Sequence, residues 1–211
     1  MKLVQYPNYD AYKNIQINGY REKEHVVWVS EDEIKQTVVP YIHNLNPDAA
    51  FGLCHGSRGG KEQQAFIEGF KDGFNKDVRV LGTEIAPEAA NKFENTIEWD
   101  FHVVKKEWLG AVDFIYTNAF DHSYKPRECL AAWMSCLSEN GVCIIEWTEF
   151  HGEKAVTAMD PFGASDKEYI QLFEEKYEVV NTINKHDMDN SCTFGAQTRT
   201  HFFIKNSNED V

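Results

Sequence analysis

Several residue groups in this 211-residue chain have types and spacing suited to chemistry. The first is Phe51-Gly-Leu-Cys-His-Gly-Ser-Arg-Gly-Gly-Lys-Glu62, an apolar run entering a glycine-rich turn and leaving it as a helix. Glycines at 56, 59 and 60 permit a tight turn and a close backbone approach to a ligand. The second is Val80-Leu-Gly-Thr-Glu-Ile85, where Glu84 stands at a strand end and can accept both hydroxyls of a ribose. The third is Asp100 in Trp99-Asp-Phe-His102, a lone acid after an apolar run that can accept from an exocyclic amine. The fourth is Asn118-Ala-Phe-Asp-His122. His122 has an ordinary pKa suited to a general base, and Asp121 could orient it. Alternatively Asp121 and His122 are a structural turn pair before the helix that Pro126 opens.

These groups need elements to position them. Apolar periodicity predicts strands at 49–54, 77–84, 97–103, 112–118 and 142–147. It predicts helices at 60–74, 87–93, 125–137 and 165–175, the last capped by Ser165 with Glu168. Two further strands, 177–182 and 200–205, lack a helix between them and should pair antiparallel. The alternation predicts an α/β fold: a three-layer, doubly wound, mostly parallel seven-stranded sheet with an antiparallel edge strand. In such a sheet ligands sit at the strands' carboxyl ends, which is where all four groups fall. Residues 1–44 read as an N-terminal arm and helix, 45–205 as the main domain, and 206–211 as a polar tail expected to fray. In the arm a short helix is expected near 10–16 and another from Ser30 to about His43. The arm's Tyr6, Tyr9, Tyr12 and Tyr20 either close the site, form an ordinary aromatic surface patch, or make a contact between copies, as in a homodimer. Asp160-Pro-Phe-Gly163 reads as a turn that could cover a substrate.

A net charge of −13 disfavours nucleic acid and anionic membrane surfaces as partners. No apolar run reaches membrane-spanning length, and the start does not read as a signal peptide, so a cytoplasmic protein is expected. Five cysteines, Cys54, Cys129, Cys136, Cys143 and Cys192, offer no close pair. They read as small buried hydrophobes. His55, His102, His122 and His151 all leave strand ends, but none is spaced as a ligand on one element, so no metal is expected. The dinucleotide and P-loop patterns are both absent.

The four segments in order, with Trp133 and Asn140-Gly-Val-Cys-Ile-Ile-Glu146 after them, resemble a small sub-type of the class I S-adenosylmethionine-dependent methyltransferases. The resemblance covers roughly residues 45–150. It implies S-adenosylmethionine as cofactor and methyl transfer to a small-molecule or sugar-like acceptor. It implies that Gly56, Ser57, Arg58 and Gly60, with His55 beside them, line the cofactor's methionine end. Glu84 would hold the ribose and Ile85 would pack on the adenine. Asp100 and Phe101 would read the adenine edge, and Asn118 and Phe120 would border the cofactor. His122 with Asp121 would serve the acceptor. The sequence departs from the class at Cys54, where an acid is usual, and at Arg58, where a glycine is usual. Arg58 could pair with the cofactor's carboxylate, or simply pack on the turn. Two other readings share the scaffold: an inactive methyltransferase-like binding subunit, and an enzyme that consumes the cofactor without an acceptor.

Overall fold

The computed structural model describes residues 1–187, 193 and 197–207. Cys192 and residues 208–211 of the expected tail lie outside the described residues. In chain order the elements are β1 (Lys2–Leu3), α1 (Tyr9–Lys23), α2 (Glu31–Glu33), a π-helical turn (Ile34–Val38), α3 (Val39–Leu45) and β2 (Phe51–His55). Then come α4 (Lys61–Phe74), β3 (Arg79–Glu84), α5 (Pro87–Lys92), β4 (Thr96–Glu98), β5 (Val112–Thr117), α6 (Pro126–Cys136) and β6 (Leu137–Trp147). The chain continues with β7 (Phe162–Gly163), α7 (Asp166–Glu174), β8 (Tyr177–Asp187) and β9 (Gln197–Asn206).

The main sheet has seven strands in the order β4-β3-β2-β5-β6-β9-β8. Its ladders from β4 through β6 are parallel, and β9 pairs antiparallel with both β6 and the edge strand β8. This is the expected doubly wound α/β sheet with antiparallel pairing at one edge. The chain runs outward from β2 to β4, then crosses back to β5 on the other side of β2. That reversal opens a crevice between the carboxyl ends of β2 and β5.

Each face of the sheet carries its own apolar layer. On one face Ile34, Val38, Phe66, Phe70, Phe114 and Tyr116 pack together. On the other, Ile115, Trp133, Met134, Cys143, Phe173 and Phe202 do so. Cys54, Cys129, Cys136 and Cys143 are buried and unbridged, as their spacing suggested. Gly52 has a steric reason to be glycine: a Cβ there would fall 2.2 Å from the Phe114 ring. The π turn also has a local cause. Pro40 has no N–H for the helical ladder, and just before it the Val39 N–H reaches back five residues to the Ile34 carbonyl.

β6 starts at Leu137 and not 142, β8 runs to Asp187 and not 182, and Phe162–Gly163 is a strand where a turn was expected. Three further expectations change. The strand expected at 97–103 is only Thr96–Glu98, because the Asp100 carboxylate accepts the His102 N–H at 2.9 Å and turns the chain out of the sheet. The arm's helix runs from Tyr9 to Lys23, not 10–16, with Asn8 capping it. Asn206 ends β9 and donates to the Met134 carbonyl at 3.3 Å, so it belongs to the sheet and not to the tail.

A buried polar hub ties the sheet to the arm. Arg199 of β9 donates to Glu146 Oε1 of β6 at 2.5 Å and to the Trp28 carbonyl at 2.7 Å. Trp28 Nε1 donates to the same Oε1 at 3.1 Å, and the Tyr116 hydroxyl donates to Oε2 at 2.7 Å. Burial alone would raise the Glu146 pKa, but Arg199, His201 and Tyr116 together hold it well below the ordinary carboxylate value. Removing the guanidinium strands a buried negative charge. Arg199→Met should therefore lower unfolding free energy by about 3–5 kcal/mol in urea titrations at pH 7. The added Glu146→Gln change should restore part of that loss.

Candidate functional site

The glycine turn after β2 begins the site. Gly56, Arg58 and Gly60 have φ of 67°, 37° and 71°, all left-handed. The N–H groups of Gly56 and Ser57 donate to the Thr83 carbonyl at 2.9 and 3.1 Å, which fastens the turn to the neighbouring strand end. A Cβ on Gly56 would come within 2.6 Å of the Ala119 Cβ, so this glycine lets the exits of β2 and β5 approach. Gly59 is the opposite case: it lines the cavity, and a Cβ there would meet nothing within 4 Å.

Glu84 ends β3 directly beside this turn. Its Oε2 accepts the Arg58 N–H at 3.1 Å and its Oε1 accepts the Ile85 N–H at 2.8 Å. Each oxygen retains acceptor capacity. Burial raises the Glu84 pKa above its ordinary value, against the pull of these N–H groups and Arg58. Asp100 is held from two sides. Its Oδ1 faces His102 Nδ1 at 2.8 Å, and its Oδ2 accepts from the Tyr9 hydroxyl at 2.6 Å. Burial works to raise its pKa, yet His102 and Tyr9 together bring it below the usual value.

At the far end, His122 closes a short turn after β5. Its Nδ1 lies 2.8 Å from Gln16 Oε1 and its Nε2 lies 3.3 Å from Asp160 Oδ1. Lys23 Nζ reaches Asp160 Oδ1 at 3.1 Å. Asp121 is 6% exposed, and its Oδ1 is buried without a partner. Burial, then the Asp160 charge, pushes the Asp121 carboxyl well up. Burial holds the His122 imidazole below its ordinary value, with Asp160 pulling the other way.

Between these ends lies a cavity of about 470 Å³, within the usual range for small-molecule sites. Gly56, Ser57, Arg58, Glu84, Ile85, Asp100, Phe101, Asn118, Asp121 and His122 all line it. Three named residues do not. His55 is buried below the turn, stacked on Trp133 and bonded through Nδ1 to Thr83 Oγ1 at 2.9 Å. Phe120 packs into the core against Trp133, Phe162 and Tyr169. Gly60 sits behind the turn and caps α4. Asp121 does not orient His122; Gln16 and Asp160 hold the ring.

The arm supplies the other wall. Tyr12, Gln16, Gly19 and Tyr20 form the buried face of α1, and all four line the cavity. Their spacing of four, seven and eight residues from Tyr12 was the signal, although the face is not apolar. Trp28, Phe150 and His151 close it further. Sequence reasoning also passed over Glu62, in the first turn of α4. It lines the cavity, is 7% exposed and accepts from Asn118 Nδ2 at 3.2 Å.

No protein-family model matches the chain, and no curated protein matches it. Solved structures do. The 1,6-didemethyltoxoflavin-N1-methyltransferase of Burkholderia thailandensis, with bound 1,6-didemethyltoxoflavin and S-adenosylhomocysteine, superposes with a TM-score of 0.69 at 13% identity, over 98% of this chain and 94% of that one. The N-methyltransferase NodS of Bradyrhizobium japonicum, in complex with S-adenosylhomocysteine, gives 0.62 at 9% identity, over 92% and 99% of the chains. The plantazolicin methyltransferase BpumL, also in complex with S-adenosylhomocysteine, gives 0.57 at 16% identity, over 92% and 90%. The fold is thus that of the class I S-adenosylmethionine-dependent methyltransferases.

The buried Glu62 gives a pH test of this geometry. Burial raises its pKa from 4.5 to about 7, opposed by its own N–H and Asn118. The folded protein therefore holds this proton more tightly than the unfolded chain. The cost is absent below about pH 4.5 and grows to about 3 kcal/mol above pH 7. Glu62→Gln should be more stable than wild type above pH 7, with the gain fading towards pH 4.5, when melting temperatures are measured across that range.

Proposed function

We propose that the chain is an S-adenosylmethionine-dependent methyltransferase acting on a small-molecule acceptor. The observation that carries this reading is the single cavity running from Glu84 and the glycine turn to His122. It joins a nucleoside-sized cradle to a polar reaction end at the sheet's switch point. The open space over Gly59 and the spare acceptor capacity of Glu84 fit such a cofactor. The solved structures with S-adenosylhomocysteine support it, and the net charge of −13 agrees with an acceptor other than nucleic acid.

When bound, S-adenosylmethionine supplies a methyl group on a sulfonium, open to in-line displacement. Glu84 accepts the ribose hydroxyls. Asp100 and Phe101 meet the adenine edge, and Ile85 packs on its face. Gly56, Ser57 and Arg58 surround the methionine end. Glu62 supplies there the buried negative charge that Cys54 cannot, and so meets an ammonium group. Tyr12, Trp28 and Phe150 exclude water, which strengthens every polar contact inside. The cluster of His122, Asp121 and Asp160 receives the acceptor and handles the proton an O–H or N–H nucleophile must lose.

Isothermal calorimetry with S-adenosylhomocysteine tests the cofactor end. Wild type should bind, and Glu84→Ala should weaken binding by about 1.5–3 kcal/mol, roughly 10- to 150-fold. No heat with wild type would overturn the reading. His122→Ala should leave this affinity within about threefold while removing turnover of any acceptor found by screening.

A further inference from the structure

We propose that Asp121, His122 and Asp160 form a binding site for a divalent transition-metal cation at the acceptor end of the cavity. One ligand atom from each lies within 4.8 Å of the others, and all three residues line the cavity. They come from two places in the chain, the turn after β5 and the loop before β7, which meet only in the fold.

Gln16 Nε2 donates to the Met159 carbonyl at 2.9 Å, which fixes the amide so that Oε1 faces His122 Nδ1 at 2.8 Å. That leaves Nε2 facing Asp160 Oδ1, at 3.3 Å. Two ligand atoms, each about 2.0–2.2 Å from one tetrahedral ion, stand roughly 3.4 Å apart. The pair is spaced as two ligands of one ion. The partnerless Asp121 Oδ1 is a second, independent sign, since a buried polar oxygen is costly to leave unmatched.

The surroundings fit. Gln16 stands to His122 as outer-shell partners stand to metal-bound imidazoles, fixing tautomer and ring plane. Thr157 Oγ1 donates to Asp160 Oδ2 at 3.2 Å and helps aim the carboxylate. One imidazole and two carboxylates favour zinc, manganese or ferrous iron. Lys23 is the competing cation, 3.1 Å from Oδ1 and 3.4 Å from Oδ2 of Asp160. With an ion on Oδ1, Lys23 keeps Oδ2. The inference of a cation stands on this geometry, whereas its task rests on the methyl-transfer reading. There a cation facing the cavity would acidify an acceptor hydroxyl as a Lewis acid. His122 would then serve as a ligand and not as the base its sequence position suggested.

The test uses the full chain, stripped with EDTA and dialysed, titrated separately with zinc chloride and manganese chloride in a calorimeter. One ion should bind per chain. Asp160→Asn and His122→Ala should each weaken binding at least tenfold, and Gln16→Ala should weaken it about 10- to 100-fold. S-adenosylhomocysteine binding, measured on the same stripped samples, shows that each variant is folded and keeps the two proposals apart. Equal metal affinity in wild type, Asp160→Asn and His122→Ala would overturn the site. So would absence of metal binding to stripped wild type that still binds S-adenosylhomocysteine, leaving Lys23 as the resident cation.

Discussion

The buried charge of Glu146 is the constraint on which the site's enclosure depends. It lies at the carboxyl end of β6, inside the protein, and must be matched there. Arg199 matches it from β9, the one reversed strand of the sheet. The same guanidinium holds the Trp28 carbonyl, and the Trp28 indole returns a bond to Glu146. A single ion pair thereby joins the antiparallel edge of the sheet to the N-terminal arm. The arm segment it anchors, Val26–Val29, is a wall of the cavity. A hydrophobic pair of similar volume could stabilise the core as well, but it would offer the Trp28 backbone nothing to bond.

A second carboxylate organises the opposite wall. Glu84 receives N–H groups from Arg58 and Ile85, and so fixes the glycine turn against the end of β3. The turn holds a non-glycine residue, Arg58, in left-handed backbone, which Arg58's bond to Glu84 helps to maintain. Its side chain reaches the Val26 carbonyl at 3.4 Å, not open solvent. The two walls therefore meet through Arg58. Three carboxyl groups are buried beside the cavity, Glu62, Glu84 and Asp121, and burial raises the pKa of each. Such arrangements cost stability and are expected where a ligand supplies the missing partners.

The strand-end residues were legible in the sequence because apolar strands end abruptly on polar groups, as at Glu84, Asp100 and Asn118. The sheet followed from the same alternation. The N-terminal wall was not legible in this way. The buried face of α1 is Tyr12, Gln16, Gly19 and Tyr20, which lines a polar cavity and lacks an apolar period. Glu62 stood inside the glycine-turn motif, but nothing in its type or position set it apart there. His55 and Phe120 misled because strand-end position says nothing of which way a side chain turns; both turn into the core. The strand at 97–103 failed through local chemistry, the Asp100 carboxylate taking the His102 N–H before the ladder could continue. Gln16 and Asp160 meet His122, and Lys23 meets Asp160, only through tertiary packing, which no spacing reveals.

The most direct test of the central claim is a crystal structure of the protein with S-adenosylhomocysteine. The account predicts the ribose hydroxyls on Glu84, the adenine edge at Asp100 and the sulfur pointing towards His122. A nucleoside bound elsewhere, or bound here with Glu84 still facing only Arg58 and Ile85, would contradict it.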